Sequence, residues 1–142
     1  RWGAFALTEP GSGSDATAAR LRAERLPSGQ FVLNGEKLFI TNALNAAVFV
    51  LFAQLDGRLT GFLVPNPIDG LTVQPGDAKL GLTTSDWGAL QLDNVTLPAD
   101  ALLGQPGKGF DIARYVLGGG RIGIAAISLG LADRCLQHWQ DQ

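Results

Sequence analysis

Methionine is absent from this chain of 142 residues, and cysteine and histidine occur once each, as Cys135 and His138. A single thiol excludes an internal disulfide and suits a reducing compartment. A single histidine excludes a multi-histidine metal centre, so no metal site is expected. Basic residues are not in excess: 11 Lys and Arg against 13 Asp and Glu leave a net charge of −2. That argues against a nucleic-acid surface. Long apolar runs are missing too. The longest, Ala46 to Ala53, is far too short for a bilayer, and no membrane span is expected. The chain opens on Arg1-Trp2 with no signal-peptide pattern, which reads as a fragment or processed piece. What is present is globular in character. Hydrophobic residues make up 46% and charged residues 17%, enough for a buried core in one domain, or one domain plus part of another.

Up to about Pro98 the punctuation is that of a β domain. Ala18 to Leu26 alternates, with Arg20, Arg22 and Glu24 on one side, and Pro27-Ser28-Gly29 breaks it. Asn34-Gly35 lies between Phe31-Val32-Leu33 and Lys37 to Thr41, the pattern of a hairpin tip. Asp56-Gly57 lies between Val48–Leu55 and Leu59–Val64 in the same way. Leu71-Thr72-Val73, Ala89 to Leu92 and Val95 to Leu97 complete a set of short strands. The expected fold is mainly β, an antiparallel barrel or sandwich, over residues 1–104. Residues 105–142 turn helical: Ile112, Val116, Ile122, Ile124, Ile127, Leu131 and Leu136 recur at helical spacing. Gly118-Gly119-Gly120 predicts a break there or a close approach by another group, since each interior glycine costs about 1 kcal/mol. Beyond Ile122 the segment is apolar around most of its circumference. It therefore reads as the start of a truncated helical domain.

Two segments carry the chemistry. Leu7-Thr8-Glu9-Pro10-Gly11-Ser12-Gly13-Ser14-Asp15 combines hydroxyls with glycines that let a backbone approach phosphates. Glu9 has the wrong charge for a phosphate and is expected to anchor the loop instead. Lys37-Leu38-Phe39-Ile40-Thr41-Asn42 adds a second hydroxyl beside an aromatic ring. Asp15, Glu36 and Asp86 read as surface or structural carboxylates. Cys135 reads as a core thiol, and His138 as a packing or surface histidine. Trp87 and Trp139 are expected to pack against neighbouring elements.

These two segments resemble the flavin-contacting motifs of the acyl-CoA dehydrogenase family, T-E-P-x-x-G-S-D and N-G-x-K-x-W-I-T-N. The resemblance continues in order through Gly61-Phe62-Leu63-Val64, Asp69-Gly70-Leu71-Thr72-Val73, Ser85-Asp86, Asp93 to Pro98, Gly107-Lys108-Gly109-Phe110 and Gly120-Arg121-Ile122-Gly123. It covers essentially the whole chain.

The resemblance implies an FAD enzyme that oxidises an acyl-CoA to its trans-2-enoyl-CoA, by removal of an α-proton and transfer of a β-hydride to the flavin. It implies cofactor contacts from Phe5, Leu7, Thr8, Gly13, Ser14, Phe39, Ile40 and Thr41, with Thr8 at the pyrimidine edge and Thr41 aimed at N5. It implies substrate contacts from Ser14 and Arg121. It further implies electron-transfer flavoprotein as acceptor, a homotetrameric parent, and a cytoplasmic or mitochondrial-matrix location. Phe39 stands where tryptophan is commonest, Gly118 where many members carry aspartate, and Thr83 where arginine is common. The catalytic base is expected beyond Gln142, because Gly120, where a minority of members place it, has no side chain. Other readings of the same fold are an acyl-CoA oxidase, a flavin monooxygenase or a non-catalytic binding domain.

Overall fold

The computed structural model describes residues 2–141. The chain divides between Phe110 and Asp111 into two compact units. The first unit is a single mixed sheet, mainly antiparallel. Its strands are β1 (Trp2–Ala6), β2 (Arg22–Arg25), β3 (Phe31–Thr41), β4 (Ala46–Leu55), β5 (Arg58–Pro65), β6 (Leu71–Pro75), β7 (Trp87–Leu97) and β8 (Leu102–Leu103). Seven of them lie in the order β6-β7-β3-β2-β4-β5-β8, and β1 lies off this path, paired with β4. The exceptions to antiparallel pairing are β1 and β2, which both run parallel to β4. Between strands the helical content is two short 3₁₀ turns, Ala16–Ala18 and Ala99–Ala101.

Alternation along the long strands places the core. Phe31 and Leu33 on β3, Phe49, Leu51 and Ala53 on β4, Phe62 and Val64 on β5, and Leu90, Leu92, Val95 and Leu97 on β7 form one buried cluster. The Phe31 and Phe62 rings meet edge to face at 5.1 Å, a favourable aromatic geometry. The β4–β5 hairpin turns at Asp56 and Gly57 as expected. Both have positive φ (51° and 71°), which matches the strand twist.

The Asn34-Gly35 hairpin is not there. β3 runs unbroken through both residues, and the turn into it is Pro27-Ser28-Gly29. The pair serves a β-bulge instead. Across from it, β7 carries an extra residue at Asn94 (φ 53°), where the register slips. The Asn34 side chain braces that bulge, accepting from the Asn94 backbone N–H at 2.7 Å and donating to its Oδ1 at 3.3 Å. Gly35 stands at φ 136°, and a Cβ there would lie 3.0 Å from Leu21, so backbone and packing both call for glycine. The same bulge makes β7 one strand where two were expected.

The second unit is a helix. α1 runs Gly109–Gln140 without a break at Gly118-Gly119-Gly120. Glycine weakens a helix without forbidding it, and propagation along 32 residues carries the hydrogen-bond ladder through. Its first two residues, Gly109 and Phe110, belong to the sheet unit: a Cβ on Gly109 would sit 2.8 Å from the Leu59 carbonyl oxygen, and just ahead of the helix Gly107 N–H donates to Thr60 Oγ1 at 2.9 Å. Beyond that, Ile122, Ile124, Ile127, Leu129, Leu131 and Trp139 are exposed. Cys135 is exposed as well, so neither it nor Trp139 packs against another described element of this chain. The helix is long and apolar enough to cross a membrane by length and composition, although glycines and charged residues interrupt its apolar runs. An all-round apolar helix equally suits the interior of a helical domain.

Candidate functional site

The first motif follows β1. Ala4 and Ala6 point into the core, while Phe5 is half-buried with its ring 5.1 Å from that of Phe52. The chain then closes a tight loop: Glu9 and Ser12 exchange backbone hydrogen bonds at 2.9 and 3.1 Å, and Ser12 Oγ donates to the Asp15 carbonyl at 2.7 Å. Asp15 caps the following 3₁₀ turn. Its Oδ1 accepts from Thr17 Oγ1 at 2.6 Å and from Thr17 N–H at 3.1 Å, and these bonds hold its carboxyl below the usual 3.8. Gly11 and Gly13 have ordinary φ, and a Cβ on either would meet nothing within 4 Å. Nothing inside the fold requires glycine at these two positions; close approach from outside is a physical reason that remains.

The second motif is tied to the first at two points. Leu38 N–H donates to the Thr8 carbonyl at 2.9 Å. Beside it lies a buried ion pair. Lys37 Nζ, fully inaccessible, donates to Glu9 Oε1 at 2.8 Å and to the Leu7 carbonyl at 3.0 Å. The Glu9 carboxylate also accepts from the Arg20 N–H at 2.6 Å and the Leu21 N–H at 3.1 Å. Glu9 thus anchors the loop, as its charge suggested. Burial pulls the Lys37 ammonium below its ordinary 10.5, opposed by the hydrogen bond and charge of Glu9.

Just past Lys37 the β3–β7 register slips again. Lys37 pairs with Leu90 and Ile40 with Gly88, so β3 carries the extra residue. Phe39 sits in this bulge at φ 58°, a left-handed conformation that costs a bulky residue about 1–3 kcal/mol. The consequence is a change of face. Phe31, Leu33 and Lys37 share the inward parity; without the bulge Phe39 would follow them in. Instead Phe39 stands 62% exposed and Ile40 takes the inward position. The Phe39 ring lies 5.1 Å from that of Trp87. Trp87 is itself fixed: its indole N–H donates to the Asp77 carbonyl at 3.0 Å, and its ring lies where a Cβ on Gly76 would be. Asp86 secures the end of the motif, accepting from Asn42 N–H at its carbonyl (3.1 Å) and from Leu44 N–H at Oδ2 (3.0 Å).

The structure therefore brings the Leu7–Asp15 loop and the Lys37–Asn42 segment together from opposite ends of the motif set. Thr8 is half-buried, and Ser14, Gly13 and Thr41 are exposed. Among the described residues no side chain or carbonyl engages the Thr8, Ser14 or Thr41 hydroxyls. Leu7 and Ile40 turn their side chains inward, leaving only backbone for an external ligand. Arg121 is exposed on α1, in the second unit. An exposed aromatic face, unengaged neutral hydroxyls and an open glycine loop fit a flavin's ring, hydrogen-bonding edge and pyrophosphate. Sequence reasoning missed two contributors. Lys37 was legible from its inward parity with Phe31 and Leu33, which places a charge in the core. The Trp87 contact with Phe39 depends on a bulge that nothing local announces.

Comparison with known proteins gives one answer. The model of the acyl-CoA dehydrogenase middle domain matches residues 4–95. The human mitochondrial short-chain specific acyl-CoA dehydrogenase is 46% identical over 139 residues, covering 94% of this chain and 34% of that protein. The butyryl-CoA dehydrogenase of Megasphaera elsdenii superposes with a TM-score of 0.86 at 42% identity, over 92% of this chain and 36% of that one. An acyl-CoA dehydrogenase from Bacillus anthracis, solved with FAD, gives a TM-score of 0.80 at 42% identity, over 83% of this chain and 20% of that one. The chain spans about a third of the length of the curated relatives it matches.

Proposed function

The chain belongs to the acyl-CoA dehydrogenase family, through its middle domain, and on that premise we propose that it forms the flavin-facing wall of an FAD-dependent dehydrogenase of short-chain acyl-CoA. The observation that carries this reading is the joining of the two hydroxyl-bearing segments through Leu38 N–H and the Thr8 carbonyl, beside the outward Phe39 ring. The flavin, when bound, supplies the hydride acceptor that no protein side chain offers. Thr8 holds the pyrimidine edge, with Phe5 and the backbone of Leu7 and Ile40 beside it. Phe39 covers one ring face and keeps water from it. Thr41 donates its hydroxyl towards N5. Gly13 and Ser14 meet the pyrophosphate, and Ser14 and Arg121 the acyl-CoA.

The base that takes the α-proton lies, in this proposal, C-terminal to Gln142, within the part of the relatives' length that this chain does not span. The electron acceptor is electron-transfer flavoprotein, and the full-length protein is a homotetramer of the cytoplasm or mitochondrial matrix. This chain alone binds FAD weakly or not at all and does not turn over.

The test is anaerobic mixing of the full-length flavoprotein with butyryl-CoA while flavin absorbance is followed. Thr41→Ala removes a donor worth about 1 kcal/mol or more, so reduction slows at least about fivefold. An unchanged rate removes Thr41 from the site. Turnover by residues 1–142 alone shows that the base has been misplaced.

A further inference from the structure

Lys37 and Glu9 form a buried charge pair that the proposed chemistry does not use. A pair of this kind is a poor source of stability, because desolvating both charges offsets most of their attraction, and apolar replacements of similar volume often do as well. Its geometry is more telling than its energy. Glu9 gathers two backbone N–H groups, Arg20 and Leu21, and the Lys37 ammonium; Lys37 reaches in turn to the Leu7 carbonyl. Three separate stretches of chain, Leu7–Glu9, Arg20–Leu21 and Lys37, are thereby fixed to one point with Lys37 at 0% and Glu9 at 6% exposure. The Leu38–Thr8 backbone bond lies one residue further along both segments.

Phe39 comes next, in its left-handed bulge. A strained φ in a bulky residue persists only where the surroundings leave no alternative. Here both flanks are fixed. Lys37 holds one side through the ion pair. On the other, Ile40 is buried and its carbonyl accepts from Ala43 N–H at 3.3 Å, while Asp86 takes the Asn42 and Leu44 amides.

We propose that the Lys37–Glu9 pair is a positioning device for the flavin site: it clamps the Thr8 loop to β3 and holds the Phe39 bulge, so that Thr8, Phe39 and Thr41 present one preformed surface. This rests on the flavin reading above. Neither residue touches the cofactor; both act through the backbone they hold. Site groups placed this way need to be right to a fraction of an ångström, which an internal rivet between two loops provides.

The experiment uses the full-length protein and measures FAD affinity together with the visible circular dichroism of bound flavin, which reports the ring's surroundings. Lys37→Met leaves a buried carboxylate unpaired; it should weaken FAD binding about twentyfold and alter the visible spectrum. Glu9→Gln keeps an acceptor for one backbone N–H and should weaken binding about fourfold. Leu59→Ala, a buried change on β5 outside the core cluster to which β3 contributes, lowers thermal stability and should leave FAD affinity within about twofold of wild type. The proposal is overturned if Lys37→Met keeps wild-type affinity and spectrum, or if Leu59→Ala weakens binding as much, which would mark the pair as merely structural. Should Lys37→Met not fold, Glu9→Gln decides, and an unchanged affinity and spectrum overturns the proposal. If the wild-type protein itself binds no FAD, the flavin reading is what has failed.

Discussion

Replacing Gly35 by alanine tests the architecture where it departs most from the sequence pattern. At the tip of a two-residue hairpin, alanine would meet only the cost of a left-handed φ, about 1–2 kcal/mol. In the bulge it meets two costs. The backbone stands at φ 136°, outside the region any side chain favours, worth about 1–3 kcal/mol. The new Cβ would also lie 3.0 Å from Leu21 Cα and Cγ, and Leu21 is 1% exposed with its N–H held by Glu9. Overpacking against such a fixed neighbour adds about 1–3 kcal/mol. The total expected is about 3 kcal/mol or more. Gly57 supplies the internal control: it has φ 71° and open space around its Cβ position, so alanine there costs strain alone. Urea unfolding in a Trp2→Phe, Trp139→Phe background leaves Trp87 as the reporter of the sheet unit. Gly35→Ala should be the less stable by about 2 kcal/mol, roughly 8 °C in Tm. Equal losses at the two glycines would refute the bulge packing and reinstate a hairpin tip.

Two further outcomes follow from the same region. A lysine held below its ordinary value carries fewer protons folded than unfolded between its folded value and 10.5, so its contribution to stability rises with pH across that window. Urea titrations between about pH 7 and 10 should show wild-type stability gaining on Lys37→Met as pH rises; parallel curves would contradict a buried ammonium. At Phe39 the usual order of glycine and alanine should invert: Phe39→Gly should be more stable than Phe39→Ala by about 1 kcal/mol, since only alanine keeps the left-handed strain. Thermal unfolding of the two variants measures this, and a more stable alanine variant would remove the strain argument.

The strands were readable wherever side chains alternate over a shared core. Phe49, Leu51 and Ala53 against Phe62 and Val64, joined at Asp56-Gly57, needed no tertiary information. What was not readable depends on two residues standing opposite one. Asn34-Gly35 carries the local chemistry of a turn, but its use as a brace depends on Asn94, 60 residues away. The face presented by Phe39 depends likewise on a register slip against β7. The site motifs were legible as composition: hydroxyls, glycines and an aromatic. Their meeting was not, because it rests on Lys37 reaching Leu7 and Glu9, and an isolated lysine in a strand reads as solvent-facing until its parity is followed. In α1 three glycines pointed to a break or a close approach; the helix has no break, because one of this length tolerates them.

The central claim is that the Phe5–Ser14 and Leu38–Asn42 segments form one flavin surface. Hydrogen–deuterium exchange of the full-length protein, stripped of flavin and then resupplied with FAD, tests it most directly at short labelling times. The account predicts that both segments are protected together on FAD binding, while Arg22–Arg25 and the Asp56-Gly57 turn are unchanged. Protection of one segment without the other, or of neither with FAD bound, would contradict it.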